Sequence, residues 1–123
     1  PGDSYVDWLG VDGYNWGESK EANGYRWISF EWLFGPILER YRQKFGDMPV
    51  MIGEFASAED DGGDKGRWID DAYGAMAKFP NLKAVVWFNA QKEESWNIDS
   101  SPDALESYIE ATKRSGFLPD SEN

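Results

Sequence analysis

Three times along this chain of 123 residues, a short apolar run gives way to a loop and then to an amphipathic stretch of helical period. The repeat unit is about 40 residues long. Strands that alternate with helices in this way lie parallel, joined by right-handed crossovers. The fold class that follows is α/β, three consecutive βα units. The spacing predicts a first strand over 6–11, a turn over 12–17 and a polar loop to Gly24. Ser29 is placed to cap a helix over 30–45, whose apolar residues fall at 30, 33, 34, 37, 38, 41 and 45. Gly46 stops that helix, and Pro49 admits a second strand over 50–54. A second helix is expected near 67–79, a third strand over 83–89 and a third helix over roughly 102–114, with Pro102 in its first turn. The last residues, 119–123, read as a frayed tail beyond a domain spanning 1–118.

The most informative stretch is Met48-Pro49-Val50-Met51-Ile52-Gly53-Glu54-Phe55-Ala56-Ser57. A strand-forming run ends on a carboxylate and opens into a loop of small and acidic residues. A charge is costly to place in a core, so a carboxylate at a strand end points to chemistry. In an α/β barrel the loops that follow the strands carry the active site, and these loops are long. Three units are too few for a barrel of eight, which takes roughly 250 residues.

Composition narrows that chemistry. There is no cysteine and no histidine, so thiolate nucleophiles, histidine-based triads and Cys- or His-ligated zinc are excluded within the chain. Acid–base or covalent steps rest on Asp, Glu, Tyr or Lys. A net charge of −11 argues against nucleic acid or an anionic membrane as partner. No apolar run approaches the roughly 20 residues of a membrane span, and Pro1-Gly2-Asp3 reads as a loop rather than a signal segment. Seven Trp, six Tyr and seven Phe supply either a large core or flat platforms for sugar rings.

The three strand ends carry Asp12 with Tyr14, Glu54, and Trp87 with Asn89. Parallel strands would gather these on one rim. A carboxylate, a phenol able to orient it and an indole beside them form half of a sugar-cleaving site. Trp16 and Trp96 are further candidate platforms, and as loop tryptophans they equally suit packing lids. Glu59, Asp60, Asp61 and Asp64 invite a calcium hypothesis, but their spacing is not that of an EF-hand loop, and a solvated acidic loop is the commoner outcome. These residues point to no metal and no cofactor.

Residues 1–17, with Val11-Asp12-Gly13-Tyr14-Asn15-Trp16-Gly17 at their end, resemble glycoside hydrolase family 26 around the sixth strand of its (β/α)8 TIM barrel. Residues 49–57 resemble its seventh strand, and Ala84 to Asn89, with Lys92 and 96–101, its eighth strand and last loop. The resemblance runs in order over roughly 1–112 and implies a C-terminal half of a barrel, strands 6–8. It implies that Glu54 is the nucleophile of a retaining mechanism and that Tyr14 hydrogen-bonds it. It further implies that Asp12 is a polar residue of the same strand end, that Trp87 is the floor of the cleavage subsite, and that the substrate is a β-mannan or a β-1,3-1,4-glucan. Secretion is carried over from the family in the same way. The family's acid/base glutamate lies on the fourth strand in a His-Glu motif, and this chain has nothing resembling strands one to five. Glu18, Glu59, Glu93 and Glu94 read as solvated loop charges rather than substitutes. The implied partner is therefore the N-terminal half of the barrel, or a second copy of this chain, because an open sheet has unpaired edges. The alternative is a non-catalytic carbohydrate-binding or self-assembling half-barrel module.

Overall fold

The computed structural model describes residues 2–18, 26–59 and 64–116. It contains three parallel strands, β1 (Leu9–Asn15), β2 (Val50–Ser57) and β3 (Leu82–Trp87), in the order β1-β2-β3. Between and after them run α1 (Phe30–Phe45), α2 (Lys65–Met76) and α3 (Pro102–Arg114). The alternation read from the sequence is therefore present as an α/β arrangement. The expected tail at 119–123, together with Asp60 and Asp61, lies outside the described residues.

Each helix begins where a side chain satisfies an orphan amide. The Ser29 Oγ accepts from Trp32 N at 3.1 Å, Asp64 Oδ1 from Arg67 N at 2.7 Å, and Ser101 Oγ from Ala104 N at 3.2 Å. Gly46 ends α1 at φ +61°, where its N–H reaches Arg42 O. α1 packs on β1, α2 on β2, and α3 lies against α2. The core between helices and sheet holds Phe30, Phe34, Val50, Ile52, Phe55, Ile69 and Met76.

Two boundaries differ from expectation in a way that matters for the site. β1 starts at Leu9 and runs through Asn15, so Asp12 and Tyr14 belong to the strand and not to a turn. Gly13 reads as a turn signal, but a Cβ there would meet the Phe34 ring at 3.0 Å and Leu33 Cγ at 3.2 Å. The glycine lets α1 approach the sheet, which is its other common use. β2 likewise continues past Glu54 to Ser57. α2 starts at Lys65, two residues ahead of the expected 67, because Asp64 is its cap.

The second face of the sheet carries Gly10, Asp12, Met51, Glu54 and Val86. Met51 is 39% exposed and Val86 50% exposed. Met51 and Val86 give this face an apolar part beside the carboxylates of Asp12 and Glu54.

Candidate active site

Along β2 the burial pattern is regular to Ile52 and then breaks. Strict alternation from buried Ile52 would turn Glu54 toward the helices. Instead the β1–β2 register passes from Val11↔Ile52 to Asp12↔Glu54, leaving Gly53 as an extra residue. The β2–β3 register slips at the same place, from Ile52↔Val85 to Phe55↔Trp87. This β-bulge re-aims the side chains beyond it. Glu54 becomes exposed on the open face and Phe55 becomes fully buried among the helices. Glycine fits the extra position closely, since a Cβ on Gly53 would stand 2.9 Å from Asp12 Oδ1 and the Asp12 side chain would have to move.

Tyr14 donates its phenolic proton to the Glu54 carboxylate in a short hydrogen bond. Partial burial pushes the phenol pKa well above its ordinary range. The hydrogen bond and charge of Glu54 push it the same way, as do the charges of Asp12 and Glu93. The phenol therefore stays protonated and can only donate to Glu54, which leaves the other carboxylate oxygen open for chemistry. Behind the Tyr14 ring stand Trp96 at 5.2 Å between centroids, Phe88 edge-on at 5.7 Å and Trp16 at 6.1 Å. The strand end below is locked by a buried pair in which Asn15 Nδ2 donates to Ser57 Oγ at 2.9 Å. Asn15 Oδ1 accepts from the amides of Ile28 and Gly17, so one side chain ties β1, β2 and the start of the α1 segment together.

Asp12, Tyr14 and Glu54 thus meet at one sheet end, as their positions predict. Trp87 does not join them as a platform. It is 9% exposed on the helix side, packed on Phe55, Trp68 and Tyr108. The reason is parity: Val86, not Trp87, shares the open face. Trp96 is 1% exposed and is a packing lid, its ring edge-on to Trp16 at 4.9 Å. Asn89 is exposed, and its Oδ1 accepts from Ile98 N at 2.8 Å, which shapes the last loop. Trp16 is partly buried and lines an open pocket of about 500 Å³ with Tyr14, Arg26, Ile28 and Trp32. Arg26 lies over the Trp32 ring at 5.3 Å.

Sequence reasoning missed four contributors. Phe88 lies in the expected third strand, and its place beside Trp87 puts it on the Tyr14 side. Asn15 and Ser57 each end a strand, and polar residues at the ends of two neighbouring parallel strands are a signal that could have found them. Lys65 falls just ahead of the expected second helix, in a stretch whose composition predicts loop. It is 1% exposed and donates to Ser95 O at 2.9 Å, Asn97 O at 2.7 Å and Ser100 Oγ at 2.7 Å. Burial pushes its ammonium pKa down to about 8, against the opposing pull of Glu59 and Asp99.

Asp64 caps α2, Glu59 accepts from Ser100 Oγ, and among the described residues no group of three acidic side chains could hold a metal. No helix of the described residues is long and apolar enough to cross a membrane.

No family model matches the chain. Over 112 residues it is 44% identical to Endoglucanase H of Acetivibrio thermocellus, an alignment that covers 90% of this chain and 12% of that protein. The chain is thus similar to about an eighth of the length of that relative.

Proposed function

We propose that this chain supplies the nucleophile-bearing part of the active site of a retaining endo-β-glycanase of the glycoside hydrolase family 26 type. The observation that carries the reading is the Tyr14 hydrogen bond to Glu54 at the open end of two parallel strands. In a retaining mechanism the free Glu54 oxygen attacks the anomeric carbon and the glycosidic oxygen leaves with a proton from a second carboxyl group about 5–5.5 Å away. Water then attacks the anomeric carbon of the glycosyl–Glu54 ester, giving a proton to the second carboxylate as the Glu54 carboxylate leaves. Tyr14 fixes the attacking carboxylate in one rotamer, which is the positioning part of the rate enhancement. Asp12, opposite Glu54 on β1, is placed to hydrogen-bond a bound sugar, with Trp16 at the groove wall. Trp87, Trp96 and Asn89 serve from behind, as the support of Tyr14 and of the last loop.

The similarity to a protein named as an endoglucanase favours a β-glucan over a β-mannan as substrate. The acid/base glutamate and the rest of the groove belong to barrel strands that precede these three. The exposed Met51 and Val86, and the open edges of β1 and β3, support the N-terminal half of a barrel as partner, or failing that a second copy. Alone, the 123 residues are expected to hydrolyse nothing. By the same reading the complete protein acts outside the cell.

The test is a 2-fluoro-glucoside with an activated leaving group, followed by peptide mass spectrometry. A polypeptide that adds the preceding barrel strands is expected to be labelled on Glu54, and its Glu54→Ala variant not at all. Labelling elsewhere, or sugar binding indifferent to Glu54→Ala with no labelling in any reconstitution, overturns the hydrolase reading in favour of a non-catalytic binding module.

A further inference from the structure

The buried ammonium of Lys65 has no place in the chemistry above, yet it holds more of the last loop than any other side chain. Its three donors meet three acceptors, the carbonyls of Ser95 and Asn97 and the hydroxyl of Ser100. The two carbonyls flank Trp96 on either side, so a single charge pins the backbone immediately before and immediately after that indole. Ser100 passes the contact on by donating to Glu59, and Lys65 Nζ stands 5.7 Å from the Trp87 ring centroid. Trp87 in turn donates from Nε1 to Trp96 O at 2.8 Å. With its own carbonyl and both neighbouring ones bonded, the Trp96 backbone is fixed, and its ring is pressed on Tyr14 and Trp16.

We propose that Lys65 is a positioning residue for the catalytic pair: through Ser95, Asn97 and Ser100 it fixes Trp96, and Trp96 holds the Tyr14 phenol on the Glu54 carboxylate. The proposal rests on the reading of Glu54 as nucleophile for its consequence in catalysis, and on geometry alone for the link from Lys65 to Tyr14. A charged hydrogen bond to a carbonyl is worth roughly twice a neutral one, which suits a loop that must not shift.

The two parts are separated by two readouts on the polypeptide that adds the preceding strands. The first is the ring resonance of 13C-labelled Tyr14, which the neighbouring Trp96 and Trp16 rings displace. The second is the rate of Glu54 labelling by the 2-fluoro-glucoside. Lys65→Met is expected to relax the Tyr14 resonance toward that of an exposed tyrosine and to slow labelling by about tenfold or more. The 123 residues have no cysteine, so in a polypeptide whose added strands are also made free of cysteine, Lys65→Cys can be alkylated at one place with bromoethylamine while unfolded, which restores an ammonium at nearly the original reach. That product is expected to recover both readouts, whereas the carboxamidomethyl product recovers neither. Should Lys65→Met fail to fold, Ser100→Ala removes one acceptor only and is expected to move the Tyr14 resonance in the same direction by less. An unchanged Tyr14 resonance in these folded variants, or aminoethylation that recovers stability but neither readout, overturns the proposal. A wild-type protein that is never labelled on Glu54 overturns the hydrolase reading instead, and the Tyr14 resonance still decides the link to Lys65.

Discussion

Asp12 on β1 stands opposite Glu54 on β2, and the residue between Ile52 and Glu54 that makes this pairing possible is a glycine. Paired in unbroken alternation, Gly53 would take the open face and send Glu54 into the helix-side core in place of Phe55. Deleting Gly53 instead removes the bulge and leaves Glu54 on the open face directly after Ile52, so the chain is expected to fold with stability lowered by about 1–3 kcal/mol and the Tyr14 contact shifted. Gly53→Ala is milder. The new methyl meets the free end of Asp12, which can rotate, so stability should fall by about 1 kcal/mol while the environment of Asp12 changes. Gly13→Ala, which presses on Phe34 and Leu33 inside the core, should cost more, about 1–3 kcal/mol. Urea denaturation of the variants orders them.

Removing only the hydroxyl that holds Glu54 tests the other half of the pair. Tyr14→Phe keeps the ring contacts with Trp96 and Phe88. A hydrogen bond to a charged group is worth about 1.5–3 kcal/mol. Turnover by the barrel-complete protein should therefore drop by about 10- to 100-fold with little change in melting temperature. Steady-state kinetics beside a thermal scan measures both.

Alkaline pH should weaken the fold through the buried phenols. Tyr73 is raised by burial and by its contact with Tyr108, and Tyr14 by burial and Glu54, so both stay protonated in the folded chain when ordinary phenols ionise. The unfolded chain gives up those protons near pH 10. The contribution is thus complete below about pH 10 and is lost as pH rises beyond it. Lys65 works with the opposite sign. Its folded pKa is lowered to about 8 from 10.5, so between those values the unfolded chain holds the extra proton and stability rises with pH. The stability difference between wild type and Lys65→Met should accordingly grow from pH 7 to pH 10 in denaturation experiments.

Trp96 is the largest side chain that is fully buried, and it lies under the site rather than in the groove. Trp96→Ala should cost about 3–5 kcal/mol, as large-to-small changes at aromatic core positions do. A true sugar platform would lose substrate affinity at little cost in stability. The comparison of melting temperature with oligosaccharide affinity in this variant separates the two roles.

The open face makes a prediction about assembly. With Met51 and Val86 exposed and a free strand edge on either side, the 123-residue chain is expected to self-associate in light scattering. Supplying the preceding barrel strands should convert it to one defined species. A monodisperse monomer with cooperative unfolding would show that three units suffice without closure.

Local chemistry determined much of this protein directly. The period of the apolar residues, the cap at Ser29, Pro102 in a first turn and the stop at Gly46 marked out three helices, and the absence of His and Cys restricted any chemistry to carboxylates, phenols and amines. The meeting of Asp12, Tyr14 and Glu54 was legible too, because parallel strands must bring their ends to one rim. Facing was not legible. A single inserted residue reverses the parity of everything after it, and nothing in the letters Ile-Gly-Glu says that the glycine is the one left unpaired. The tertiary structure decided that Glu54 faces out, that Trp87 faces in, and that a lysine in a presumed loop reaches thirty residues along the chain to hold Ser95. Spacing along the chain determines elements because the forces that make them act over a few residues. Which face a residue takes, and what it touches, depends on register between strands, and register is set by packing across the whole sheet.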